Sequence, residues 1–199
     1  GHIERSTLIT GNDIAQIIQN NQLENPDSRI LLIDLKNETL LNEFADGVHG
    51  LGTKDTPRWI RQYWEAKRSL KEWRFMQTTS NKNVIWGGRE RCVRWGSDKL
   101  HELDDEGWAI LAGSMAWGKN GVAVDQMGNL HSCIYSGDLF DKNVAAVVPH
   151  NPDHLPAIWA FCSSPAYSKA VRKIDQKLNV TNATLVKVPF DLDHWQEVA

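Results

Sequence analysis

Gly121-Val122-Ala123-Val124 and His131-Ser132-Cys133-Ile134-Tyr135 bracket a glycine turn at Gly128-Asn129. Two short apolar runs on either side of such a turn predict a β-hairpin. Working outward, Val144-Ala145-Ala146-Val147-Val148-Pro149 reads as a buried strand that proline brings to an end. Leu155 to Cys162 is apolar at nearly every position, which predicts a buried helix. After a Ser163-Ser164-Pro165 break, Tyr167, Val171, Ile174 and Leu178 recur at three- and four-residue spacing. Lys169, Arg172, Lys173 and Lys177 fall on other faces, so this second helix is amphipathic. Leu185-Val186-Lys187-Val188-Pro189 alternates like a closing strand. Before the hairpin, Trp73, Trp86 and Trp95 recur about every ten residues between turn signals at Ser80-Asn81 and Gly87-Gly88, which predicts short strands joined by turns. The pattern is α+β: short strands through the middle, then a helix pair and a closing strand.

The N-terminal quarter has a different texture. Gly1-His2 looks like the scar of a cleaved purification tag, and residues 1–3 are set aside on that ground. Asn12-Asp13 opens a short helix at Ile14 to Ile18, with the acid where the helix dipole favours it. Asn25-Pro26-Asp27-Ser28 is a turn, Ile30 to Ile33 a buried strand, and Glu38 to Phe44 a second helical stretch. Residues 4–46 thus form a helix–strand–helix segment, and residues 47–199 a separate domain. Leu103 to Gly107 reads as an acidic loop.

The chain has 199 residues, 41% hydrophobic and 24% charged, enough for one substantial core. Its apolar runs are too short for a membrane span, and no basic-then-apolar signal segment opens it, so a cytoplasmic protein is the expectation. Three cysteines, Cys92, Cys133 and Cys162, are too few and too scattered for a disulfide framework. The net charge of −3 conceals an uneven distribution. Residues 54–99 carry twelve basic and five acidic side chains, while both flanking blocks are acidic. Five of the nine tryptophans lie in that basic block, mostly as expected core residues with one or two exposed. Arginine forks, phosphate-holding lysines and indoles together suit a polyanion contact; a solvated, salt-bridged surface is the plainer alternative.

Catalytic patterns are sparse. Gly87-Gly88 and Gly118-Lys119-Asn120-Gly121 lack the rest of a phosphate loop. No two cysteines have metal-ligand spacing, and Pro152 between His150 and His154 argues against one helical face. There is no Gly-x-Ser-x-Gly elbow. Glu65-Ala66-Lys67 has the acid-x-lysine spacing of many metal-dependent nucleases, but no aspartate-bearing strand precedes it. Asn151-Pro152-Asp153-His154 starts like the Asn-Pro-Pro-aromatic loop of adenine-methylating enzymes and then fails at both later positions.

Five stretches, in order, carry a resemblance. Gly50-Leu51-Gly52-Thr53-Lys54-Asp55-Thr56-Pro57-Arg58-Trp59-Ile60-Arg61-Gln62-Tyr63-Trp64-Glu65 is the first. Ile85 to Glu90, Ala116 to Gly128, and Tyr135 to Asp141 follow. The last runs from Leu155-Pro156-Ala157-Ile158-Trp159 through Asn179-Val180-Thr181-Asn182 to Asp191. Together they resemble the target recognition region of type IIG and phage-exclusion-type restriction–modification DNA adenine methyltransferases, over about residues 44–195. Lys54 departs by standing where a glycine is usual, and His131-Ser132-Cys133 stands where a proline and small residues are usual.

The resemblance implies a small sheet or partial barrel of short twisted strands with a C-terminal helix pair. It implies a bacterial phage-defence piece that selects the double-stranded DNA sequence for an upstream, S-adenosylmethionine-dependent catalytic domain of the parent chain. The piece itself would hold no cofactor and no metal and would not catalyse alone. The expected DNA contacts are Thr53, Lys54, Arg58, Arg61, Arg89, Arg91, Arg94 and Lys119. Met127-Gly128-Asn129 is expected as a hairpin tip, with an approach to the duplex as the alternative. Asn182 and Thr184 are expected to satisfy backbone groups near the start of the closing strand. Two rival classes stand beside this reading: a protein-interaction module docking an acidic partner, and a nuclease using Glu65 and Lys67.

Overall fold

A computed structural model of the chain describes residues 35, 38–66, 72–96 and 109–199, with only the backbone of 109 and 110. The chain divides into two compact units, Gly1–Glu38 and Thr39–Ala199. The second unit holds every strand among the described residues. The expected helix at 14–18, strand at 30–33 and acidic loop at 103–107 lie outside the described residues.

The expected α+β class is the observed one. Sheet I has four antiparallel strands in the order β1 (Ala45–His49), β10 (Val144–Pro149), β7 (Gly121–Asp125), β8 (Ser132–Tyr135). The hairpin is β7–β8, with Gly121 opposite Tyr135 and Val124 opposite Ser132. Every residue of β10 is buried because both faces of the sheet are covered. On one face Val144, Ala146 and Val148 join Ala123, Cys133, Tyr135 and Phe140 in a core cluster. The other face meets helices. α2 (Leu155–Ser163) packs on β7 and β8, α4 (Asn182–Leu185) on β1, and α5 (Leu192–Val198) on α2. Ser132 Oγ donates to the Cys162 carbonyl at 3.0 Å, and Asn182 Nδ2 to the Gly47 carbonyl at 2.6 Å. A Cβ at Gly47 would run into the Asn182 carbonyl, so glycine is what lets α4 settle on β1.

Sheet II has the order β3 (Ile60–Gln62), β5 (Arg91–Arg94), β4 (Trp73–Gln77), β9 (Leu139–Phe140), with β9 parallel to β4. Its core is Leu51, Ile60, Met76, Val93 and Leu139. Trp117 packs against the clusters of both sheets, and its ring meets Trp95 edge-to-face at 5.3 Å. Each such buried apolar side chain is worth about 1.5–3 kcal/mol. A two-stranded pair, β2 (Gly52–Thr53) and β6 (Ala109–Ile110), completes the strands, and among the described residues neither sheet closes into a barrel.

The helix pair is present as α2 and α3 (Pro165–Ile174), but α3 stops short of Leu178. Asp175 leaves the helical conformation and its carboxylate accepts from Lys177 N–H at 2.9 Å, which turns the chain out and leaves Leu178 73% exposed. The expected closing strand at 185–189 does not form: residues 186–188 are turn and bend, and Leu185 is the last residue of α4. Thr181 caps it, its Oγ1 accepting from Thr184 N–H, and this local capping outweighs the apolar alternation. Only Pro189 keeps an extended partner, Leu40. The helix expected up to Phe44 shrinks to a 3-10 turn, Leu41–Glu43, because Leu41 N–H donates to the Val188 carbonyl. No strand forms at Trp86, and the expected boundary between 46 and 47 falls inside β1.

Candidate nucleic-acid interface

Three adjacent strands of sheet II carry four arginines: Arg61 on β3, Arg91 and Arg94 on β5, and Arg74 on β4. Arg58 sits in the single-turn helix α1 (Thr56–Trp59) that leads into β3. Asp55 caps that helix by accepting from Arg58 N–H at 3.2 Å, and the Arg58 guanidinium lies 5.0 Å over the Trp59 ring. Thr53 is half-buried in β2 and Lys54 is exposed just after it.

These cations are not equivalent. Arg94 pairs with Glu72 at 2.9 Å, and Arg89 with Asp138 at 2.7 Å. Arg89 also donates to Ser136 Oγ and lies 5.4 Å over the Trp86 ring, so it ties the 78–90 segment to the turn before β9. Arg61 folds back on the Pro57 and Ile60 carbonyls. Lys54, Arg58, Arg74 and Arg91 are exposed and have no carboxylate partner among the described residues. Lys119 is exposed too, but it lines a different cleft, with Asp46 and His150.

The aromatic residues divide similarly. Of the five tryptophans in the basic block Trp59 is buried and two are exposed, within the expected one or two. Trp73 and Trp95 are half-buried, and Trp64 and Trp86 are 63% and 64% exposed. Tyr63 and Phe75 flank an apolar cleft of about 470 Å³ with Cys92 among its walls. Burial raises the Cys92 thiol, pushes Cys133 up to about 11 and raises Cys162 further still. None is a ready thiolate at neutral pH. Among the described residues no three metal-ligating side chains cluster. Glu65 accepts from Gln62 N–H at 3.0 Å, while Lys67 lies outside the described residues.

One group has no motif to mark it in the sequence. Asp125, the last residue of β7, is 7% exposed and sits on a cleft of about 630 Å³ between loops. Its Oδ1 accepts from Ser80 N–H at 3.0 Å. Desolvation pushes its carboxyl up to about 7, the Ser80 hydrogen bond opposing the rise. The available signal was a carboxylate ending a run of four apolar-strand residues, directly before the hairpin turn.

Comparison with protein-family models gives no match, and comparison with curated proteins gives none either. Among the described residues no helix is long and apolar enough to cross a membrane.

Proposed function

We propose that the second unit, residues 39–199, forms a double-stranded-DNA recognition module, the part of a restriction–modification adenine methyltransferase that selects the sequence. Catalysis would belong to an upstream domain using S-adenosylmethionine. The observation that carries the reading is the set of exposed arginines on and beside β3–β5–β4, Arg58, Arg74 and Arg91, left without carboxylate partners among the described residues. Such groups suit phosphate oxygens and guanine edges. The five ordered motifs of the sequence support the same reading.

The experiment is a titration of the 199-residue chain with duplex DNA at several salt concentrations. If about four cations neutralise phosphates, affinity falls roughly a hundredfold between about 50 and 200 mM salt. Arg58→Glu and Arg91→Glu each weaken binding, and Arg94→Gln, which removes a side chain already paired with Glu72, weakens it less. Absent or salt-insensitive binding overturns the proposal. The apolar cleft at Tyr63 and Phe75 favours a second reading, a face for a protein partner, and failure to bind duplex would leave that one standing.

A further inference from the structure

The cleft at Asp125 is built differently from the arginine-bearing sheet. It lies where the 78–81 segment, the β7–β8 turn, the β9–β10 turn and the loop after α3 converge. Its frame is tied together. Met127 bridges Asn179, and Val180 N–H donates to the Gln126 carbonyl at 2.9 Å. The Arg172 guanidinium donates to the Gly128 carbonyl at 2.7 Å and to the Lys177 carbonyl, locking the hairpin tip to the loop after α3. Leu130, buried at the turn's end, is held at φ 55, a conformation rare for a branched side chain. A turn kept in that conformation by its surroundings is pre-set rather than pliable.

The cleft's chemistry narrows its ligand. Among the described residues no lysine or arginine lines it, which disfavours phosphate. Two polar groups there lack partners among the described residues: the second oxygen of Asp125, and His131 Nδ1, which is buried without one. The amides of Asn81 and Asn129 make no side-chain hydrogen bond among the described residues. Met127 and Leu178 add exposed apolar surface at the rim. A lone carboxylate with a free oxygen, beside free amides and apolar walls, calls for a flat neutral group that presents a hydrogen-bond donor.

We propose that this cleft reads a base-pair edge, with Asp125 accepting a hydrogen bond from the exocyclic amino group of a cytosine. A carboxylate on the cytosine amino group is the established major-groove pairing of this kind, and Asn81 or Asn129 would reach the neighbouring ring positions. The inference rests on the DNA reading above and assigns a residue that carries sequence choice rather than affinity. Buried polar groups left unmatched by the wrong base are what make such a contact selective.

The test is selection of binding sites from a randomised duplex pool by the wild-type chain and by Asp125→Asn. Expected is a wild-type motif in which one position is held to a C·G pair. Asp125→Asn relaxes that position by about tenfold to a hundredfold while the other positions and the salt dependence stay as they were. Leu178→Glu, at an exposed rim position that the fold does not need, lowers duplex affinity at least tenfold by setting a negative charge at the mouth. An unchanged motif in Asp125→Asn, relaxation only at an A·T pair, or full affinity in Leu178→Glu overturns the proposal and leaves the DNA reading intact. A wild-type chain that binds no duplex removes the DNA reading, and this one with it.

Discussion

Asp125→Asn is expected to stabilise the fold at alkaline pH and to leave it nearly unchanged in acid. The Asp125 carboxyl is raised from 3.8 to about 7, so the folded chain holds that proton more tightly than the unfolded chain. The resulting stability is fully present below about pH 4 and is lost as pH climbs through about 7. Each tenfold change in an acid constant is about 1.36 kcal/mol, which sets a ceiling on the order of 4 kcal/mol. The cleft is open to water, which screens the charge, so about 2–3 kcal/mol is the expected difference above pH 8. Asparagine keeps an oxygen for Ser80 N–H and has no charge to desolvate. Thermal unfolding of both chains across about pH 5 to 8.5 reads the difference as a gap in Tm. That gap opens with pH to roughly 5–10 °C for a chain of this size. A gap that does not change with pH, or a variant less stable than the wild type at the alkaline end, would refute the reasoning. A carboxylate kept where asparagine is more stable fits a residue retained for what it binds.

Gly47→Ala drives a methyl group into the Asn182 carbonyl, so α4 must shift off β1. A loss of about 1–3 kcal/mol in denaturant unfolding is expected, and an unchanged midpoint would show that α4 adapts freely. Cys92, Cys133 and Cys162 are buried free thiols whose pKa values burial raises. A thiol reagent at neutral pH should therefore label none of them at the rate of an exposed cysteine, and denaturant should release all three.

The elements legible in the sequence were those with strong local signals. The β7–β8 hairpin, the buried β10 and the start of α3 each matched a period or a turn. The elements missed were decided by long-range partners. Leu41 N–H donates to the carbonyl of Val188, 147 residues away, and no local pattern foretells that. The 185–189 segment alternated correctly, yet both of its valines are buried without a strand around them. At the candidate interface, sequence supplied the arginines but not their partners. Arg89 and Arg94 look identical to Arg91 in a composition, and only the approach of Asp138 and Glu72 separates them. Asp125 escaped notice because four loops distant in sequence create its cleft.

Burial of β10 on both faces alters what fixes its place in sheet I. A half-exposed strand resists a one-residue slip because its polar face would turn inward. β10 has no polar face, so polarity gives no such resistance. Volume sets its position instead. Val147 faces Gly47 on one neighbour and Val122 on the other, and Ala146 sits between Val48 and Ala123. Exchanging alanine and valine along this strand would preserve composition and hydropathy and still spoil the alignment. Here the order of two nearly interchangeable residue types acts as the address label of the whole sheet.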